Sequence, residues 1–460
     1  MARACDNDLG ERSKRTYALG VFALSSIVAL VAIRVYAVFC TTHIVTWDDR
    51  WYRRFAYAAM AHTTLADAIF GVLLPNLGTE NGHKTIGYHS WMIMMGKVFP
   101  NSNTENIWHL MNVGFLIVQC CLIFGLALWA TRRRWLALIV TYFYLSCPIL
   151  FGINRWLLTE NHVITALLSF CATGVLLLEY RPTREPDGTS RNALHSAVTV
   201  PALAGYVFGV FSTLREYALP SLIVITAAIV LGLIAERRLL SAMVFLLAFL
   251  PFAMTAAVSL PPVLRHTLMK SALMNYFHPL WRWVPHVLTF GIGWPLTVLL
   301  VAANGPIYRS IREAGGFAAE FSLCKRSGLR ILFWAHGLIA LVYVLLVIFS
   351  NNRVVRPSIP PLVTLFCMTL LGLRIHRIAE RIHWSRLIGF FVPLAALSWG
   401  FMIFELFIAF HGGRTYRLHP FPLERYNHPL RLRALKGPDD MHVIPARHSW
   451  EYTYPPKVDE

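Results

Sequence analysis

The segment YALGVFALSSIVALVAIRVYAVF, Tyr17 to Phe39, decides the fold of this chain. As a helix rising about 1.5 Å per residue, it is long enough to cross about 30 Å of hydrocarbon. It is too long for the core of a signal peptide, and no small-residue cleavage site follows it, so it reads as a permanent membrane helix. Comparable apolar runs lie near 107–130, 135–153, 162–179, 196–214, 218–235, 239–260, 286–303, 331–350, 358–374 and 387–410. The expectation is an all-α polytopic membrane protein with about eleven transmembrane helices.

Composition agrees with that reading. Of 460 residues, 56% are hydrophobic and 14% charged, and mean hydropathy is +0.52. A formal charge of +18 would suggest nucleic acid for a soluble protein. Here the Lys and Arg residues cluster between apolar runs, which makes them a topology signal and points to membrane lipids, with no nucleic acid partner. With a cytoplasmic amino terminus, every inside segment is basic: Arg12, Lys14 and Arg15; Arg132 to Arg134; Arg181, Arg184 and Arg191; Arg237 and Arg238; Arg309, Arg312, Lys325, Arg326 and Arg330; Arg374, Arg377, Arg381 and Arg386. The eight cysteines lie mostly in apolar runs and show neither a metal motif nor a disulfide framework.

That orientation leaves three sizeable outside segments, 40–106, 261–285 and 411–460. In the first, Phe55, Ala59, His62, Leu65 and Ile69 recur at helical spacing, as do Trp91, Met95 and Phe99, which predicts two interfacial helices. Residues 1–410 then form one transmembrane domain and 411–460 a short outside tail.

Four outside segments offer chemistry. Thr46 to Tyr52 sets Asp48 and Asp49 among aromatic residues. One reading is a solvated loop with an Asp capping the next helix; the other is a carboxylate near lipid, kept basic by desolvation and able to take a proton from a hydroxyl. Asn81 to His89 supplies His83, Lys84 and His89, which suit a phosphate or anchor the loop to headgroups. In Asn154 to His162, Glu160 is costly in lipid and should face a cavity, while Arg155 either pairs with it or snorkels. Asn352 to Pro361 carries Arg353 and Arg356, two guanidiniums for a phosphoryl leaving group or for headgroups. Arg215 and Glu216 read as a pair shaping a short hairpin.

In their order along residues 15–375, these features resemble the C-type superfamily of integral membrane glycosyltransferases, particularly the branch of protein O-mannosyltransferases and lipid A aminoarabinose transferases. That family has an acidic pair soon after the first helix, here Asp48-Asp49. It continues with a long first outside loop holding a basic segment, here Gly82 to Tyr88, an acid before the fourth helix, here Glu160, and a late arginine turn running into prolines, here Arg353 to Pro361. The second acid is Asp where the family usually has Glu, and a Lys-Pro-Pro element stands here as Lys84-Thr85-Ile86.

The resemblance implies a hexosyl- or pentosyltransferase using a polyprenyl-phosphate-linked sugar donor. It implies a hydroxyl acceptor on an envelope glycan, lipid or protein, and inversion at the sugar. Asp48, or else Asp49, would be the general base and Glu160 a positioning group. Lys84, Arg353 and Arg356 would meet the phosphate, with His83, His89 and Arg155 beside the substrates. Some members use a divalent metal and others do not, so the resemblance leaves the cofactor open. A bacterial inner membrane with the active site outside is the expected location. The alternative is a transporter or flippase for a lipid-linked sugar, which would want ionisable groups near mid-bilayer; the helix interiors are almost bare of them, with Glu405 the exception and Arg34 and His336 nearer helix ends or aromatic neighbours. A noncatalytic subunit of an envelope complex is also open.

Overall fold

The computed structural model describes residues 2–40, 42–44, 56, 64–68, 87–99, 104–146, 160–180, 190–214, 218–272, 295–324, 327–349, 359–378, 393–397, 399–400, 403 and 443–445. In chain order the helices are α1 (Ala2–Cys40), α2 (Leu65–Ala68), α3 (Gly87–Val98), α4 (Thr104–Thr131), α5 (Arg134–Leu145), α6 (Glu160–Glu179), α7 (Ser190–Ser212), α8 (Leu219–Ala235), α9 (Leu239–Ala272), α10 (Pro295–Glu313), α11 (Gly316–Cys324), α12 (Gly328–Phe349) and α13 (Ile359–Ile375). Two three-residue strands, β1 (Thr42–Ile44) and β2 (Val443–Pro445), pair antiparallel and join the segment after α1 to the carboxy-terminal residues.

The chain is an all-α polytopic membrane protein, with this one short strand pair beside its helices. Tyr17–Tyr36, Asn106–Thr131, Asn161–Glu179 and Gly328–Leu345 are long and apolar enough to cross a membrane, and five shorter apolar helices accompany them. Their outer faces remain apolar: Val28 is 61% exposed, Leu247 66% and Leu341 55%. Such a surface needs lipid as its solvent.

Helix α6 is the axis of the bundle. Residues 161–171 are all buried, and α4, α7, α8, α12 and α13 pack around the helix. A helix apolar on every side can sit only inside other helices or in lipid; here neighbouring helices take that place. On its flank, α7 and α9 approach through Gly205, where an added Cβ would stand 2.4 Å from the Phe245 carbonyl oxygen. Small residues allow this close backbone approach in membrane helix pairs.

Helix α1 lies outside this axis, against α5 and α4. Its Arg34 is buried and donates to the Leu30 carbonyl at 3.1 Å and the Leu145 carbonyl at 2.6 Å. A guanidinium thus satisfies the end of α5, whose last carbonyls have no partner in their own helix.

The expected run 135–153 is helical from Arg134 to Leu145, and residues 147–159 lie outside the described set. Helix α3 falls where the second helix of the 40–106 segment was expected and begins four residues before Trp91. Of the first, the described helix is the single turn α2. Helix α11, read from sequence as part of a basic inside loop, was not expected.

Candidate functional site

Gly87 begins α3, and its N–H donates to the Thr213 carbonyl at 3.0 Å, just beyond the end of α7. An added Cβ there would lie 2.3 Å from Thr213 Oγ1 and 2.6 Å from its carbonyl oxygen, so the contact requires glycine. A second tie comes from Trp108, whose Nε1 donates to the Met92 carbonyl at 2.8 Å and fixes α3 on α4. Tyr88, Met92, Trp108, Met111, Phe115 and Leu214 close around this junction as a small buried cluster separate from the main core.

Through these ties two sequence segments about seventy residues apart meet. Tyr88 faces His162 with ring centroids 4.4 Å apart, and Phe115 meets the same imidazole edge-on at 4.2 Å. His89, expected to bind substrate, is buried next to Tyr88, their centroids 6.0 Å apart. Glu160 is the first residue of α6, where the helix dipole favours a carboxylate. Asp48, Asp49, His83, Lys84, Arg155, Arg353 and Arg356 lie outside the described residues, as do Arg215, Glu216 and Glu405.

Below the rings lies a buried polar network that was not foreseen. The Gln119 amide nitrogen faces three acceptors, the Asn161 carbonyl at 2.7 Å, Asn161 Oδ1 at 2.6 Å and Thr165 Oγ1 at 2.8 Å, and its two protons must be shared among them. The Tyr144 hydroxyl donates to Gln119 Oε1. Asn161 Nδ2 donates to the Asn112 carbonyl at 2.9 Å. Buried amides and hydroxyls stabilise only when paired, and these fix α4, α5 and α6 in one register. The site is therefore a rigid, largely neutral floor of rings and amides, suited to positioning a polar ligand rather than to proton transfer by these groups alone.

Near the middle of α6, α12 and α13, Cys171, His336 and Cys367 bring their sulfur and ring nitrogen atoms within 4.8 Å of one another, all buried. Two thiolates and an imidazole are soft donors of the kind zinc or copper(I) takes, with one position of a tetrahedral set left open. Sequence reading found no metal motif because these ligands come from three distant helices. His336, read from the sequence as nearer a helix end or aromatic neighbours, follows Phe333 and Trp334 inside α12 and is fully buried.

The opposite end of the bundle is basic. Arg132, Arg133, Arg330, Arg374 and Arg377 line one cavity together with Glu179.

Fold and site together define a helical membrane protein with a sealed polar floor at one end of its bundle and arginines at the other. No protein-family model and no curated protein matches the chain. Among solved structures it is similar to ArnT from Cupriavidus metallidurans bound to undecaprenyl phosphate, at 14% identity and a TM-score of 0.43 over 80% of this chain and 62% of that one. The same enzyme in the apo state matches at 14% and 0.43 over 81% and 63%. The Archaeoglobus fulgidus oligosaccharyltransferase tethered with an acceptor peptide matches at 12% and 0.47 over 85% and 56%. The chain spans less than two thirds of the length of each, and at these identities and scores the likenesses assign it no activity.

Proposed function

We propose that this protein is an inverting membrane glycosyltransferase acting at the end of the bundle opposite the arginines, outside the cytoplasm. A hydroxyl oxygen of the acceptor attacks the anomeric carbon of a polyprenyl-phosphate-linked sugar. The carbon–oxygen bond to phosphate breaks, the polyprenyl phosphate leaves, and the acceptor proton passes to Asp48, or to Asp49. Lys84, Arg353 and Arg356 meet the charge growing on the departing phosphate, with His83 and Arg155 beside the substrates. Glu160 and His89 hold the acceptor or sugar in register.

The observation that carries this reading is the meeting of Tyr88 with His162 at 4.4 Å. It joins the phosphate-suited segment Asn81 to His89 and the acidic segment Asn154 to His162, the two whose order along the chain supports the glycosyltransferase reading. The acceptor is a hydroxyl of an envelope glycan, lipid or protein, and the membrane a bacterial inner membrane.

The test is the envelope glycan mass profile of cells carrying wild type, Asp48→Asn or Asp49→Asn at matched membrane abundance. Loss of the general base should lower transfer by about 10²–10⁴-fold, seen as disappearance of one fixed sugar mass. Profiles unchanged in both variants would remove the proposed base. A carrier for a lipid-linked sugar is the second reading, favoured by the His336 cluster inside the bundle. It predicts that His336→Phe abolishes function while both Asp variants retain it.

A further inference from the structure

Away from the proposed site, Arg132, Arg133, Arg330, Arg374 and Arg377 surround a cavity of about 620 Å³, with Glu179 the carboxylate on its wall. Arg374 Nε lies 3.7 Å from Glu179, and the same guanidinium stands over the Trp129 ring at 5.7 Å. Arg330 pairs with Glu320, a fully buried carboxylate that also has His376 Nε2 at 3.8 Å. Arg330 and Arg374 are thus matched by carboxylates, whereas among the described residues no carboxylate pairs with Arg132 or Arg377. Several like charges around one cavity repel unless an anion joins them.

Arg132 and Arg377 have φ of 56° and 51°, in the left-handed region, just past the ends of α4 and α13. Glycine or asparagine ordinarily fills this position. Arg237 adopts the same conformation past the end of α8, away from the cavity, so backbone shape alone does not mark a ligand. What marks one is that two such caps converge on the same cavity with three further arginines. A volume of about 300–1,000 Å³ is usual for small-ligand sites, and planar guanidiniums bind phosphate oxygens two at a time.

We infer that this cavity binds a phosphate group, and that the headgroup of an anionic phospholipid supplies it. The cavity lies at the ends of α4, α6 and α13, on the basic end that the positive-inside rule assigns to the cytoplasm, where lipid headgroups would be within reach. Nothing in the inference depends on sugar transfer, so the two readings stand or fall separately.

The full chain, purified and placed in nanodiscs of phosphatidylcholine with a minor share of phosphatidylglycerol, is examined by native mass spectrometry for retained lipid. The pair Arg132→Asn with Arg377→Asn removes two cations while keeping residues that tolerate the left-handed backbone. Arg309→Gln with Arg312→Gln on α10 removes two equally basic residues outside the cavity. Wild type and the α10 pair should retain phosphatidylglycerol in preference to phosphatidylcholine, and the cavity pair should lose that preference by roughly 30-fold. A parallel titration of detergent-solubilised protein with inorganic phosphate separates the sources: saturable stabilisation by phosphate, absent in the cavity pair, without a lipid preference would keep the phosphate site and overturn the lipid as its source. Equal retention of both lipids by wild type with no phosphate response, or a cavity pair that behaves as wild type, would overturn the site.

Discussion

At one end of α6, Asn161 and His162 are sealed among amides and rings; at the other, Glu179 stands on the wall of a cavity lined by five arginines. At the first end the Gln119, Tyr144, Asn161 and Thr165 side chains pair with one another, so that network is rigid and expensive to alter. The second has more cations than carboxylates, so Arg132 and Arg377, unlike Arg330 with its buried Glu320 partner, are nearly dispensable to folding and available to a ligand. The difference teaches where each kind of substitution will be felt: in stability at the sealed end, in binding at the open one.

The hardest test of the sealed end is Gln119→Leu. It removes the acceptor of the Tyr144 hydroxyl and the donor to Asn161 Oδ1, at a cost of about 2–4 kcal/mol. Chemical denaturation in detergent micelles should show the loss, and an unchanged midpoint would mean the network contributes nothing. Gly87→Ala comes next, because the new methyl must push Thr213 away and lengthen the 3.0 Å hydrogen bond. Overpacking of this kind costs about 1–3 kcal/mol, and transfer should fall with it, since α3 carries His89 and follows directly on Lys84.

His162→Phe sharpens the comparison differently. A phenyl ring keeps the contacts to Tyr88 and Phe115, so stability should change by less than about 1.5 kcal/mol. A much larger fall in transfer than in stability would assign the imidazole a part in binding or chemistry. Equal small changes would leave it a packing residue.

How much of this was legible in the sequence follows from the range of each signal. A membrane span is local: a run like Tyr17 to Phe39 declares itself, and the described helices fall in or beside the expected runs. Boundaries moved where helices continue past the apolar run, as in α9, which runs on to Ala272. Helix α11 was missed because its nine residues are too few for a span and basic residues flank it. The site was legible only as segments. Asn154 to His162 and Asn81 to His89 were both singled out, yet their contact needs α3 to fold back onto α4. Gln119, Tyr144 and Thr165 gave no warning at all: a lone polar residue in an apolar run looks the same whether or not its partner waits on another helix. The one available signal was Asn161 and His162 at the mouth of a span, where two polar side chains entering lipid together call for partners.

The smallest expected effect is at the open end. Arg132→Asn removes an exposed guanidinium with no recorded ion pair to a described residue, at a backbone position with φ of 56° that asparagine accepts readily. Surface changes of this kind shift stability by about 0.5 kcal/mol or less, and relief of backbone strain even favours the variant slightly. Denaturation midpoints of wild type and Arg132→Asn in zwitterionic detergent should therefore coincide. A loss above about 1 kcal/mol would be outside that range and would show that Arg132 is a structural cap bound to the helix end, removing one of the cations on which the phosphate site depends. Coincident midpoints in that detergent, followed by a gap that opens only when anionic lipid is added, would separate the two ends as the structure does: one that holds the fold, and one held ready for a ligand.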